Sequence, residues 1–291
     1  MKKQRIIGSI LFCTFFSIQI YGQIDNSKLL DQEKLEIILR KSAEYCERVK
    51  SIALYYVCQE EIKEKTNFYL VSPFMRNSPF GNIKRVVSKA PKIERIIKNS
   101  YIYDYQLINK DGEILENRTL LKKNNIKRRQ ENAKLELRLR AEHMVYGPVG
   151  FLSQYWQEFF DYKIIGEEDL NHIIGTVIEA TPRPNNEDNR NFAHIWVDKE
   201  DGSILQIEWQ PESITDYSGN QINFQALDIE VNVEWTVTYG IEKNGVRFPD
   251  RQQVQEFLVP KGDLRFLQNE TIILYNNYKF FIVETEIKYH P

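Results

Sequence analysis

Residues Ile229 to Tyr239 alternate without interruption. Ile229, Val231, Val233, Trp235, Val237 and Tyr239 are apolar, and Glu230, Asn232, Glu234, Thr236 and Thr238 stand between them. A two-residue period is the geometry of a pleated strand with one dry face and one wet face. It cannot be satisfied by a helix, whose period is 3.6. A chain carrying this segment must supply strands on both sides and something apolar to cover the dry face.

Other segments repeat the pattern. Tyr101, Tyr103, Tyr105 and Leu107 alternate with Ile102, Asp104 and Gln106, and Asp111-Gly112 reads as a tight turn into a returning strand, Glu113 to Leu120. Ile52 to Ile62 is the first strand expected. Tyr162 to Ile165, His172 to Thr181, Phe192 to Val197 and Ser203 to Trp209 follow, with a hairpin turn over Asp198 to Gly202 and a polar loop from Arg183 to Asn191. Asn244-Gly245 is a type I′ hairpin signal leading to Val246 to Leu258, and a last long strand is expected from Thr271 to Lys288. Short turns join antiparallel neighbours, so the reading is one antiparallel sheet of about seven to eleven strands.

Three segments read as helical. In residues 27–50, Leu35, Ile38, Leu39, Ser42, Cys46 and Val49 recur at steps of three and four, with Glu36, Arg40, Lys41, Glu44 and Glu47 on the other faces. Residues 122–144 are rich in charge and helix formers, with a basic excess (Lys122, Lys123, Lys127, Arg128, Arg129, Lys134, Arg138, Arg140) that suits either a solvated helix face or an anionic partner. Gly147-Pro148 opens a short helix whose broad face carries Phe151, Leu152, Tyr155, Trp156, Phe159 and Phe160. That face is either core or, through Phe151, Tyr155, Trp156 and Phe159, the lining of a ligand cavity. The fold class expected is α+β and β-dominated: a strongly curved antiparallel sheet packed on an N-terminal helix and one or two further helices.

The first 22 residues have a different character. Lys2, Lys3 and Arg5 precede an uncharged, strongly apolar run from Ile6 to Ile20, and Gly22 suits the position before a cleavage site. This is the pattern of a secretory signal peptide, too short for a spanning helix. Residues 1–22 are therefore read as a removed signal and 23–291 as a single domain, located in the periplasm or at the outer-envelope surface, with no transmembrane segment after cleavage. Removal takes three basic and no acidic residues from 291, leaving 269 and moving the formal charge from −2 to −5. That mild acidity argues against nucleic acid as a partner.

Cleavage also removes Cys13 and leaves Cys46 and Cys58. In an oxidising compartment the pair is expected to form a disulfide between the helix and the strand after it, the alternative being two separately buried thiols. The spacing is not Cys-x-x-Cys, which disfavours redox catalysis. No catalytic constellation stands out: there is no Gly-x-Ser-x-Gly, no glycine-rich phosphate loop and no His-Glu-x-x-His. His143, His172, His194 and His290 lack metal-ligand spacing. No catalytic residue, no metal and no cofactor are expected.

Tyr45-Cys46 with Cys58, Gly150-Phe151-Leu152-Ser153, Asp201-Gly202-Ser203-Ile204, Val246-Arg247-Phe248-Pro249 and Tyr278-Lys279-Phe280-Phe281 are features of a helix, turns and a terminal strand. With the order of elements over residues 27–288, they make the chain resemble the LolA/LppX-like superfamily, including uncharacterised exported bacterial proteins labelled lipoprotein-sorting-like. The resemblance implies an open half-barrel that wraps a helix and holds acyl chains in its concavity, and a carrier rather than an enzyme. The functions in play are a lipid or other apolar-ligand binding module, an envelope protein-interaction or sensory module, and a hydrolase or glycan-acting enzyme.

Overall fold

The computed structural model describes residues 25–69, 92–111, 113–137, 144–184, 192–211, 229–260 and 264–281. The signal segment 1–22, Gly112, most of the loop 183–191 and the end of the last expected strand lie outside them. An 11-stranded antiparallel sheet, open and curved, carries the fold. Its strands are β1 (Tyr56–Tyr69), β2 (Ile93–Lys110), β3 (Glu113–Lys123), β4 (Ile126–Gln130), β5 (Phe160–Leu170), β6 (Ile173–Pro182), β7 (Ala193–Asp198), β8 (Ile204–Trp209), β9 (Ile229–Thr238), β12 (Arg251–Pro260) and β13 (Phe266–Phe280). A separate ribbon pairs β10 (Ile241–Lys243) with β11 (Val246–Phe248). In space the order is β4-β3-β2-β1-β13-β12-β9-β8-β7-β6-β5. Each half is a meander, and β13, the last of the described strands, sits between them, paired with both β1 and β12.

Helix α1 (Asp25–Ile52) lies on one face of this sheet, the inner face. Leu35, Ile38, Ser42, Tyr45, Cys46 and Val49 are buried along its predicted stripe. Each large apolar side chain so buried contributes about 1.5–3 kcal/mol. The β7–β8 turn clamps the helix from outside. Lys41 Nζ donates to the carbonyls of Lys199 and Glu200 at 2.8 Å each. Gly202, at φ +73°, approaches so closely that a Cβ there would lie 2.4 Å from the Lys41 carbonyl carbon. The Tyr45 hydroxyl donates to the Arg247 carbonyl at 3.2 Å and accepts from the Arg247 N–H at 3.1 Å, tying α1 to the β10–β11 ribbon. That ribbon turns through Asn244 and Gly245, both at positive φ (54° and 71°), as a type I′ hairpin requires.

Four expectations are revised. The helix runs on to Ile52, so the first strand starts at Tyr56 rather than Ile52. Residues 122–144 are not a helix where described. Asn124 and Asn125, both left-handed (φ 49° and 66°), form a hairpin turn between β3 and β4. Residues 131–132 form a further turn, with Asn132 at φ 51°, and 133–137 follow against the sheet without regular structure: Ala133 N–H donates to the Arg118 carbonyl at 2.9 Å, and Leu135 and Leu137 are buried while Lys134 and Glu136 are exposed. Tight-turn chemistry and a two-residue apolar period here outweigh the weak intrinsic preference of Lys, Arg and Glu for helix.

The helix from Gly147 is interrupted. A 3-10 turn (Met144–Tyr146) leads to α2 (Gly147–Leu152), Ser153 is extended (ψ 152°), and α3 (Gln154–Gln157) is a single turn before β5. Finally, Val246 to Leu258 is two strands, β11 and β12, parted at Pro249-Asp250. There the Asp250 carboxylate accepts from Thr238 Oγ1 at 2.7 Å and Gly240 N–H at 2.8 Å, which replaces ladder bonds with a corner.

Candidate functional site

The inner face is where the resemblance places a ligand, and its two halves differ in chemistry. Across β5 to β9 it is apolar. Phe160, Ile178, Ala180, Ala193, Ile195, Val197, Ile204, Ile207, Val237 and Tyr239 are buried, and Trp209 stacks on Trp235 at 4.8 Å between centroids. Helices α1 and α2 close this half. Phe151 packs against Phe160 and Trp209 at 5.4 and 6.1 Å, and Tyr239 donates to the Met144 carbonyl at 2.8 Å.

Across β1, β2, β3, β12 and β13 the same face sets buried polar and charged groups among tyrosines and aliphatic side chains such as Ile62, Leu107 and Leu120. Glu60 continues the inward phase of Tyr56, Cys58 and Ile62 on β1 and has no exposed surface. Arg118 on β3 meets it as a fork: Nε donates to Glu60 Oε2 at 2.7 Å and Nη2 to Oε1 at 3.0 Å. Its Nη1 donates to Glu116 Oε2 at 2.7 Å, and Tyr105 donates to Glu116 Oε1 at 2.9 Å. The guanidinium also lies 4.7 Å from the Tyr105 ring centre. Tyr275, which donates to Gln252 Oε1 at 3.1 Å, lies against Glu60 from the other side. Burial lifts the Glu60 carboxyl above the usual carboxylate range, with Arg118 pulling the other way, while the two carboxylates hold the Arg118 proton more firmly than in water. Further along, Asn269 donates to Thr66 Oγ1 at 2.8 Å and Thr271 donates to Asn269 Oδ1 at 3.2 Å.

One contiguous cluster of buried apolar side chains joins both halves and includes Leu135 and Leu137 of the segment 133–137. Among the described residues, that cluster joins the inner face to α1, α2 and this segment.

The structure does not form the bridge expected between Cys46 and Cys58. Both are free and buried. The Cys46 thiol, on the helix, points at the Pro148 carbonyl 3.5 Å away, and Cys58, on the strand, lies against the Tyr278 hydroxyl. The sulfurs face different neighbours, and burial pushes the Cys46 thiol up to about 12 and raises Cys58 as well. Thiols so protonated are poor nucleophiles.

The four aromatic candidates do not share one environment. Phe151 is core. Tyr155 is 62% exposed, and it forms with half-buried Trp156 and Phe159 a trio of mutually touching rings, centroids 5.2 to 5.5 Å apart. Beside α3, a groove of about 450 Å³ runs against α1, lined by Glu36, Leu39, Arg40, Ala43, Glu44, Glu47, Gln154 and Gln157. The Gln157 amide pins α3 there by donating to the Leu39 and Leu152 carbonyls at 2.7 Å each.

His194 lies 3.6 Å from Glu179 on the outer face, and Trp196 beside it donates to Glu168 at 2.9 Å. Among the described residues no cluster of three or more metal-ligating side chains occurs, and no helix is long and apolar enough to cross a membrane.

No protein-family model matches the sequence, and no curated protein matches it. The structure is similar to a DUF1329 family protein from Desulfovibrio piger, with 11% identity, 88% of this chain and 95% of that chain covered, and a TM-score of 0.38. It is also similar to a putative outer membrane lipoprotein-sorting protein domain from Vibrio parahaemolyticus, with 12% identity, 85% and 95% covered, and a TM-score of 0.33. A LolA superfamily protein from Nitrosomonas europaea gives 9% identity, 84% and 94% covered, and a TM-score of 0.32. These similarities stand at low identity and low TM-score, and they assign this chain neither a family nor a ligand.

Proposed function

We propose that this chain is a non-catalytic binding module of the cell envelope that recognises a protein on its outside rather than carrying a ligand inside. One contrast carries the reading: among the described residues a contiguous apolar cluster joins the inner face of the sheet to α1, α2, Leu135 and Leu137, whereas the Tyr155–Trp156–Phe159 trio stands outside beside the α1–α3 groove. Exposed aromatics over a firm base are typical anchors of protein interfaces. Glu36, Glu44 and Glu47 against Arg40 give the groove an acidic balance, so the partner that fits is a basic segment bearing an apolar anchor. The envelope setting rests on Lys2, Lys3, Arg5 and the apolar run Ile6 to Ile20.

Affinity capture from the envelope fraction by wild type and by Tyr155→Ser and Glu44→Lys variants tests this, with the eluates analysed for protein and for lipid. A protein bound by wild type and lost from both folded variants is expected. Stoichiometric lipid retained by all three would overturn the reading. It would support instead a carrier for an acyl chain or other apolar ligand, whose favourable observation is the aromatic inner face around Tyr56, Phe248 and Tyr278. That carrier would have to displace residues 131–137 or α1.

A further inference from the structure

The outer face of β1, β2 and β13 bears an open groove of about 590 Å³. Lysines dominate its walls, and they are placed unusually. Lys65 and Lys98 are directly opposite each other in the β1–β2 register, and Lys122 stands opposite Ile102 one strand further out. Like charges face to face across a ladder destabilise the pair. No carboxylate lies within ion-pair distance of Lys65, Lys98 or Lys122 among the described residues, and of the groove's acids only Glu270 stands opposite one of them, Lys65. The acids of the groove are engaged elsewhere. Glu61 pairs with Lys63 at 3.1 Å, Glu64 accepts from Asn99 at 3.3 Å, and Glu270, although opposite Lys65, accepts from Gln253 and Gln255 at 3.4 and 2.9 Å. Ile102 and Ile272 give the groove an apolar floor.

Lys65, Lys98 and Lys122 border one concavity without an ion-pair partner among the described residues, and the four lysines of its lining outnumber its three glutamates. We propose that this groove binds a phosphate group on an organic molecule: the ammonium groups of Lys65, Lys98 and Lys122 take the oxyanion, and the isoleucines take the apolar part of the ester. Lysine serves here as a point-charge donor, which suits phosphate without demanding a planar fork. The inference is independent of the protein-binding reading, because it concerns the opposite face of the sheet from α1 and α3.

The test uses the full chain without residues 1–22. Inorganic phosphate is titrated at low ionic strength while thermal unfolding and calorimetry are followed, and flotation is measured with vesicles of phosphatidylglycerol and of phosphatidylcholine. Wild type should bind phosphate and unfold at a higher temperature in its presence. Lys65→Gln/Lys98→Gln/Lys122→Gln should bind at least tenfold more weakly, yet be no less stable than wild type without phosphate, because the opposed charges are gone. Lys127→Gln/Arg128→Gln, on the exposed strand β4, should bind as wild type does. Phosphate binding without vesicle binding supports the proposal with a soluble phosphate ester as the source. Flotation with phosphatidylglycerol alone, competed by phosphate, supports it with a lipid headgroup as the source. No binding of either, or binding that survives the triple substitution, overturns it.

Discussion

The two halves of the inner face solve one burial problem with opposite chemistry. From β5 to β9 the sheet is covered by shape: Ile178, Ile195, Ile207 and Val237 share one apolar cluster with Phe151 and the stripe of α1, and no charge is enclosed there among the described residues. From β1 to β3, with β12 and β13, it is covered by pairing: Glu60, Glu116 and Arg118 satisfy one another beneath tyrosines. The first kind of burial tolerates loss of any one contact in proportion to the volume removed. The second fails as a unit, because each buried charge needs its partner. A close-packed apolar half suits an invariant platform, while a bonded polar half fixes the register of strands that come from distant parts of the chain.

The strongest way to break this comparison is to unpair the polar half. Arg118→Met should cost about 3–5 kcal/mol in urea unfolding, because Glu60 is left buried without its cation. The double variant Glu60→Leu/Arg118→Met should recover much of that loss. If the single and double variants are equally destabilised, the pair is not the unit described here. In the apolar half, Ile178→Ala should cost roughly 2–4 kcal/mol by cavity formation. That loss should be the same at low and high salt, whereas dependence on salt would show hidden electrostatics there.

A smaller effect is expected at the clamp on α1. Gly202→Ala puts a methyl group into the Lys41 backbone at positive φ and should cost roughly 1–3 kcal/mol, read as a fall in Tm with early loss of helical circular dichroism. The smallest and most specific effect is in pH. The folded Glu60 carboxyl holds its proton above the ordinary glutamate value. The folded state therefore binds a proton that the unfolded chain has released. That contribution is fully present below the ordinary value of about 4.3 and is lost as pH rises through the folded one. The stability advantage of wild type over Glu60→Gln should accordingly narrow from pH 4 toward neutrality. A widening gap would mean that the pairing with Arg118 outweighs desolvation.

Much of the architecture was legible wherever a period was long and a turn was short. The alternation from Ile229 is β9 (Ile229–Thr238), with Val233, Trp235 and Val237 buried and Tyr239 buried just beyond it, and Asn244-Gly245 turns as its chemistry requires. The α1 stripe was equally readable, because burial follows the 3.6 period from Leu35 to Val49. Residues 122–144 misled because composition was read before period: Asn124-Asn125 is a turn signal, and Leu135-Glu136-Leu137 alternates. The bridge expected between Cys46 and Cys58 is not formed, and nearness in sequence does not fix what a side chain meets: one thiol lies against the Pro148 carbonyl and the other against the Tyr278 hydroxyl.

The four aromatic candidates separate in the structure, Phe151 into the core and Tyr155, Trp156 and Phe159 around α3, since nothing local announced that Ser153 would break the helix. Arg118 and Glu60 were missed. The available signal was Glu60 standing in the inward phase of β1 between Cys58 and Ile62, an acid where the period demands an apolar residue. Its partner, 58 positions away, is set only by the register of three strands.

The place of β13 has a consequence for how the molecule comes into being. A polypeptide is made from its N-terminus, and both β1 and β12 wait for a partner that is synthesised after them. Until Phe266–Phe280 has left the ribosome, the chain is two unjoined meanders with two raw edges at its centre, able to meet strands of other nascent chains. Loss of that segment would not trim the sheet at a margin; it would sever it through the middle.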